Sequence, residues 1–138
     1  MPSDGAFDVQ KAVYDRLAAV TGLTGLLAMG ADSVFDHVPR GSAFPYVAIG
    51  EMRLQPMDTQ GGQGSDISLS IHSYSKGAGH KEAREIMAAI YDALHDAGFS
   101  VANRTLILCR LVGATSAMEN DGETYHGLQR FQIITEPA

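Results

Sequence analysis

One cysteine, Cys109, is all the chain carries, so no intramolecular disulfide can form and the zinc sites built on several thiolates are excluded. It lies in the apolar run Leu106-Ile107-Leu108-Cys109-Arg110-Leu111. A free cysteine in such a strand packs as a small hydrophobe and stays protonated, and Arg110 next to it falls on the opposite face. Long apolar runs are missing too. None approaches the ~20 residues a bilayer-spanning helix requires, so no membrane partner is expected. The first nine residues lack the basic start and apolar block of a secretory signal. Positive charge is scarce: ten Lys and Arg against sixteen Asp and Glu give −6. That balance argues against a protein that tracks nucleic-acid phosphates.

What remains is an ordinary globular composition, 45% hydrophobic over 138 residues. This length is expected to form one domain, residues 1–138, that buries roughly two-thirds of the unfolded surface. Val9, Val13, Leu17 and Val20 recur at helical spacing, predicting an amphipathic helix over Phe7 to Val20 capped by Ser3 or Asp4. Leu23, Leu26, Leu27 and Met29 predict a further short helical piece ending at Gly30. Pro39 and Pro45 bracket a turn at Arg40-Gly41-Ser42, after a short strand at Val34-Phe35 and before a strand entered at Tyr46. Asp66 to Tyr74 alternates Ile67, Leu69 and Ile71 with Ser68, Ser70 and His72, the mark of a strand with one polar face. Between the two strands, Gln55 to Ser65 holds three glycines and little apolar surface, and is expected to be a mobile loop. Lys81 to Ala97 carries the strongest helical stripe, Ala83, Ile86, Met87, Ile90 and Leu94, with Gly98 as its C-terminal stop. Thr105 to Val112 and Leu128 to Thr135 are expected to pair as an antiparallel hairpin across Glu119-Asn120-Asp121-Gly122. The order helix, strands, helix, strands predicts an α+β fold, a mainly antiparallel sheet with helices packed on one face.

No motif in this frame points to catalysis or to a cofactor. The five histidines, His37, His72, His80, His95 and His126, show no zinc spacing, so no metal site is expected. Asp66, Glu119, Asp121 and Glu123 are assigned to turns or their flanks, where carboxylates are solvated. Gly61-Gly62-Gln63-Gly64 precedes a strand instead of a helix, so it lacks the dipole that holds phosphate. Gly77-Ala78-Gly79-His80-Lys81 does precede a helix, but without the frame of a phosphate-binding loop.

Several segments taken in order resemble the tail terminator, or tail completion, family of long-tailed phages and gene transfer agents. They are the opening helix with Ala12, Tyr14 and Leu17, then Leu26-Leu27, Val34-Phe35-Asp36-His37-Val38-Pro39 and Phe44-Pro45-Tyr46-Val47. Ile67 to Ser75 follows, then Gly77 and Gly79 before a helix ending in Ala93-Leu94-His95. Asp121-Gly122 and His126-Gly127-Leu128-Gln129-Arg130-Phe131 complete the pattern, which covers nearly the whole chain.

The resemblance implies a non-enzymatic structural virion protein without a cofactor. It implies a homo-oligomeric ring, usually a hexamer, that caps the tail tube, stops its polymerisation and joins the tail to the neck. Assembly would take place in the bacterial cytoplasm and the final position would be the tail–neck junction. DNA would pass through the lumen without specific binding, and an acidic balance suits such a bore by like-charge repulsion. A closed ring needs two different patches on every subunit. Arg40, Phe44, Tyr46 and the glycine segment Gln60, Gly61, Gly62, Gln63 and Gly64 are the interface candidates, although Phe44 and Tyr46 would serve equally as core. Three alternatives stay open: another head–tail connector or neck adaptor, a small enzyme or ligand-binding domain using His72 and the polar strand face, and an unrelated monomer.

Overall fold

A computed structural model of the protein describes residues 4–59, 62–77 and 79–138. Two long helices, α1 (Ala6–Ala19) and α3 (Lys81–Leu94), and a single-turn helix α2 (Thr21–Thr24) lie with a 3-10 turn at Gly30–Ser33. The strands are β1 (Val34–Phe35), β2 (Tyr46–Thr59), β3 (Gly62–Ser75), β4 (Arg104–Met118) and β5 (Tyr125–Pro137). They form one sheet in the order β1-β2-β3-β5-β4, antiparallel except for the short β1–β2 pair. The fold is α+β, as its pattern predicts.

The alternation along β3 decides where the core sits. Ile67, Leu69 and Ile71 point to the helices and meet Phe131 and Ile133 from β5. Val9, Val13 and Leu17 of α1 and Ile86, Ile90 and Leu94 of α3 close over them. Two polar ties fix the layers: Arg16 Nε donates to the Ala93 carbonyl at 2.9 Å, joining the helices, and Gln129 Nε2 donates to the Met87 carbonyl at 2.9 Å, joining helix to sheet. Cys109 is buried in this layer, and burial pushes its thiol up to about 12. The start of α1 depends on Gly5, whose φ of 86° is left-handed and whose missing Cβ would lie 3.0 Å from Arg104 Nε. Asp4 Oδ1 accepts the Ala6 N–H there at 2.9 Å.

Several boundaries depart from the sequence reading. Gln55 to Thr59 and Gly62 to Ser65 are strand and not mobile loop: the ladder continues through Pro56↔Ser65, Met57↔Gly64, Asp58↔Gln63 and Thr59↔Gly62. Glycine lacks a side chain to bury, yet its backbone pairs as well as any other. Gly64 also meets a steric need, since a Cβ there would lie 3.0 Å from the Met57 carbonyl. Pro56 is compatible with a strand that has no further neighbour on that side. Because β5 pairs with β3 up to Ser65, the last residues of the β2–β3 hairpin project beyond the sheet as an arm. Asp66 therefore sits within β3 and not in a turn, where Gln132 Nε2 donates to its carboxylate at 3.1 Å.

Helix α3 stops at Leu94, three residues before the predicted end. Asp96 takes a φ of 54° and donates its N–H to the Cys109 carbonyl at 2.7 Å, so a tertiary bond overrides the local helical preference. The β4–β5 hairpin is longer than predicted and turns through Glu119 to Thr124. Asp121 organises that turn by accepting the Thr124 hydroxyl and the Glu123 and Thr124 N–H groups, which hold its carboxyl at about 2.

The core geometry yields a stability prediction. Phe131 is fully buried under the helices, beside Leu69 of β3, so Phe131→Ala is expected to cost about 3–5 kcal/mol, measured as a shift of the urea unfolding midpoint.

Candidate interface on the open face of the sheet

The face of the sheet away from the helices carries a row of rings. Strand pairing places Tyr46 opposite Tyr74, Tyr74 opposite His126 and His126 opposite Ala117, so one rung crosses four strands. Tyr46 and Tyr74 lie 5.1 Å apart by centroid, and Tyr74 stacks on His126 at 4.5 Å with 7° between planes. Phe35 and Phe44 pack against Tyr46 at 5.7 and 5.0 Å. Lys76 Nζ lies 4.6 Å over the Phe44 ring and 3.2 Å from Glu123, covering the row's outer end. Burial raises the Tyr46 and Tyr74 phenols above their ordinary values.

Diagonally across β3 and β5, between this rung and the next same-face one, His72 Nδ1 and His126 Nε2 are 2.7 Å apart. Their planes differ by 19° and their centroids by 4.9 Å, so the rings meet edge to edge in one plane, as a nitrogen-to-nitrogen hydrogen bond demands. Each outer nitrogen faces a carboxylate: His126 Nδ1 lies 3.1 Å from Glu119 Oε1, and His72 Nε2 lies 3.5 Å from Glu51 Oε2. Gly50 leaves room for this, since a Cβ there would collide with the His72 ring.

Counting hydrogens orders the chain. Two neutral imidazoles supply two N–H groups, enough for the two short contacts if His72 donates to His126 and His126 donates to Glu119. A third hydrogen, on His72 Nε2, completes the contact to Glu51. A fourth would put an N–H on both sides of the 2.7 Å contact and break it. Burial, then the charge of His72, holds the His126 imidazole below its usual value, while the Glu51 carboxylate is held low by its own backbone N–H and the Ser70 hydroxyl.

Beside the histidines, the same face forms a shallow depression of about 540 Å³ lined by Glu51, Arg53, Asp66, Ser68, Arg130 and Gln132. Its charges are mixed, and Gln132 ties one of them, Asp66, to Arg110 outside the lining, donating to the carboxylate and accepting from Arg110 Nε at 3.0 Å. The histidine nitrogens are engaged with one another and with Glu51 and Glu119, so they are not presented to the depression. Among the described residues, no three His, Cys, Asp or Glu side chains are placed to hold a metal ion, and no helix is long and apolar enough to cross a membrane.

Of the interface candidates, Arg40 is exposed in the turn before β2, and Phe44 and Tyr46 are half-buried within the ring row. Gly64, with the backbone of Gly62 and Gln63, belongs to the projecting arm. Gln60 and Gly61 lie outside the described residues. The structure brings Phe44 and Tyr46 together and leaves the arm at the far end of β2. Sequence reasoning missed the His72–His126 pair: both occupy polar positions of their strands, but their meeting depends on the β3–β5 register.

With this geometry in view, comparison with known proteins gives a clear result. The family model described as tail completion protein gp17 matches residues 11–136. The chain belongs to that tail completion family. Among solved structures, it is similar to a chain of the virion of a native gene transfer agent particle. The TM-score is 0.86 at 24% identity over 98% of this chain and 99% of that one. It is also similar to the bacteriophage SPP1 gp17 protein, with a TM-score of 0.64 at 23% identity over 92% of this chain and 88% of that one. Among curated proteins, none matches the chain. The tail completion fold therefore carries, in this member, an open face whose polar side chains are largely tied to one another.

The histidine pair predicts a pH dependence. His126 is depressed below 6.5 in the folded state, so the unfolded chain takes up that proton more readily. Stability is expected to fall as the pH drops from about 6.5 through the lower folded value, and to be level on either side of that window. Urea midpoints measured between about pH 8 and pH 5 should show this fall in the wild type and a flatter profile in His126→Gln.

Proposed function

We propose that this protein is a structural virion component that completes the tail of a phage-like particle. In this reading, copies of the chain close into a ring, a hexamer, on the end of the tail tube, stop its polymerisation and offer the neck a surface to bind. The observation that carries it is the family match across residues 11–136. The full-length likeness of fold to a gene transfer agent virion chain supports it. The engaged histidines and the mixed, shallow depression favour an assembly surface over a substrate site.

The surfaces then divide in a natural way. The β2–β3 arm, with Met57 exposed near its end, reaches beyond the sheet and is suited to contact the tube. Arg40, Phe44 and Tyr46 lie at the opposite end of β2 and would face the neck. The net charge of −6 lets DNA pass through the bore without sticking.

Electron microscopy of particles made without this protein tests the reading. Overlong tails, with or without heads, are the expected outcome. Tails of normal length on intact particles would overturn it, and normal-length tails lacking heads would move the protein to a connector role in the neck.

A further inference from the structure

The two edges of the sheet are built differently. On one side, β1 covers β2 at Val47 and Ala48. Beyond them β2 carries a bulge between Ile49 and Met52, the charges Glu51 and Arg53, and Pro56. These are the usual devices that blunt an exposed edge. On the other side, β4 ends the sheet with β5 as its one neighbour. β4 has bulges of its own, between Leu106 and Leu108 and between Leu111 and Gly113, but past them its stretch Gly113-Ala114-Thr115-Ser116-Ala117-Met118 pairs regularly with β5 and has no charge and no proline. Val112 is 62% exposed, and Ile107 and Met118 are each 49% exposed. A long, uncharged edge with apolar side chains in water is a template for a further strand.

We infer that the outer edge of β4 pairs with the outer edge of β2, over about Gly50–Gln55, in a second copy of this chain, so that the sheet runs on from subunit to subunit. The inference rests on the ring reading above. Closure requires two different patches on opposite sides of one subunit, and the two edges of the sheet are such patches. Strand polarity allows the contact. β4 runs antiparallel to β5, β5 to β3 and β3 to β2, so β4 runs opposite to β2. Copies related by rotation about an axis near the strand direction therefore bring β4 against a neighbour's β2 as an antiparallel pair. The guards on β2 limit the pairing without forbidding it: Pro56 sets where it stops, and Glu51 and Arg53 meet an uncharged strand with no like charge opposite. Pairing of two β4 edges would instead make a closed dimer.

The test places a photoreactive side chain on the bare edge, Thr115→p-benzoylphenylalanine, in particles assembled with the variant, followed by peptide mapping of the adducts. Adducts joining residue 115 to residues 46–59 of a second copy are expected. Adducts to another copy's β4, or to a different protein, would overturn the edge pairing while multimer-sized adducts would leave the ring reading standing. Absence of any multimer on the particle would overturn both. A second variant, Val112→Lys, adds an edge charge at an exposed position. It is expected to abolish the ring on native mass measurement and to leave the circular dichroism unchanged, whereas a ring of unaltered mass would also overturn the pairing.

Discussion

The register of β3 against β5 is the constraint on which the rest of the molecule depends. Its ladder runs without a bulge from Ser65↔Thr135 to Ser75↔Tyr125, whereas both neighbouring ladders are interrupted. A one-residue slip would turn Ile67, Leu69 and Ile71 out to water and bring His72 and Tyr74 under the helices. The apolar side of the pair forbids that slip. The same pairing that buries Phe131 and Ile133 thus sets His126 beside Tyr74 and within reach of His72. Ring row and core are two faces of one registration.

The open face gains order from this without becoming a core. Around the histidines and Gln132 its polar groups are satisfied laterally: histidine to histidine, histidine to carboxylate, amide to carboxylate. Polar groups closed among themselves present little to a small substrate, and covering them leaves few new groups unpaired, a condition a stable interface must satisfy. The β4 edge, by contrast, leaves the apolar side chains of Ile107, Val112 and Met118 exposed. The molecule therefore separates a stiff, self-satisfied face from an edge that still has backbone groups to pair.

Much of this was legible in the sequence, for identifiable reasons. The alternation Ile67-Ser68-Leu69-Ser70-Ile71-His72 gave both the strand and its polar face, and the Ile86, Ile90, Leu94 stripe gave α3. The segments that carry the family resemblance needed order and spacing alone. What failed depended on pairings that composition and local pattern do not announce. Gln55 to Ser65 has the composition of a loop, but the backbone of Gln55 to Thr59 is held by pairing with Gly62 to Asp66 across the hairpin. Leu94 ends its helix because Cys109 offers Asp96 a carbonyl. The His72–His126 bond joins residues 54 apart, and nothing in either local pattern announces the other. The interface residues stand differently: composition places Arg40 and the glycines at a surface, yet surface position alone does not name a partner.

The ordered arm also changes the energetics of assembly. A mobile loop that ordered on contact would lose about 1–2 kcal/mol of backbone freedom per residue at the moment of binding, which would weaken early, misplaced association. In a paired hairpin that loss is borne during folding, so contact with the arm carries less of it. Restraint on premature assembly must then come from elsewhere. The proposed edge pairing would supply it, because a single β4–β2 contact would leave each terminal subunit with an open edge, and the last contact of a closed ring would form with the others already in place. Closure would fill every edge at once and so favour a ring over the short open chains that precede it.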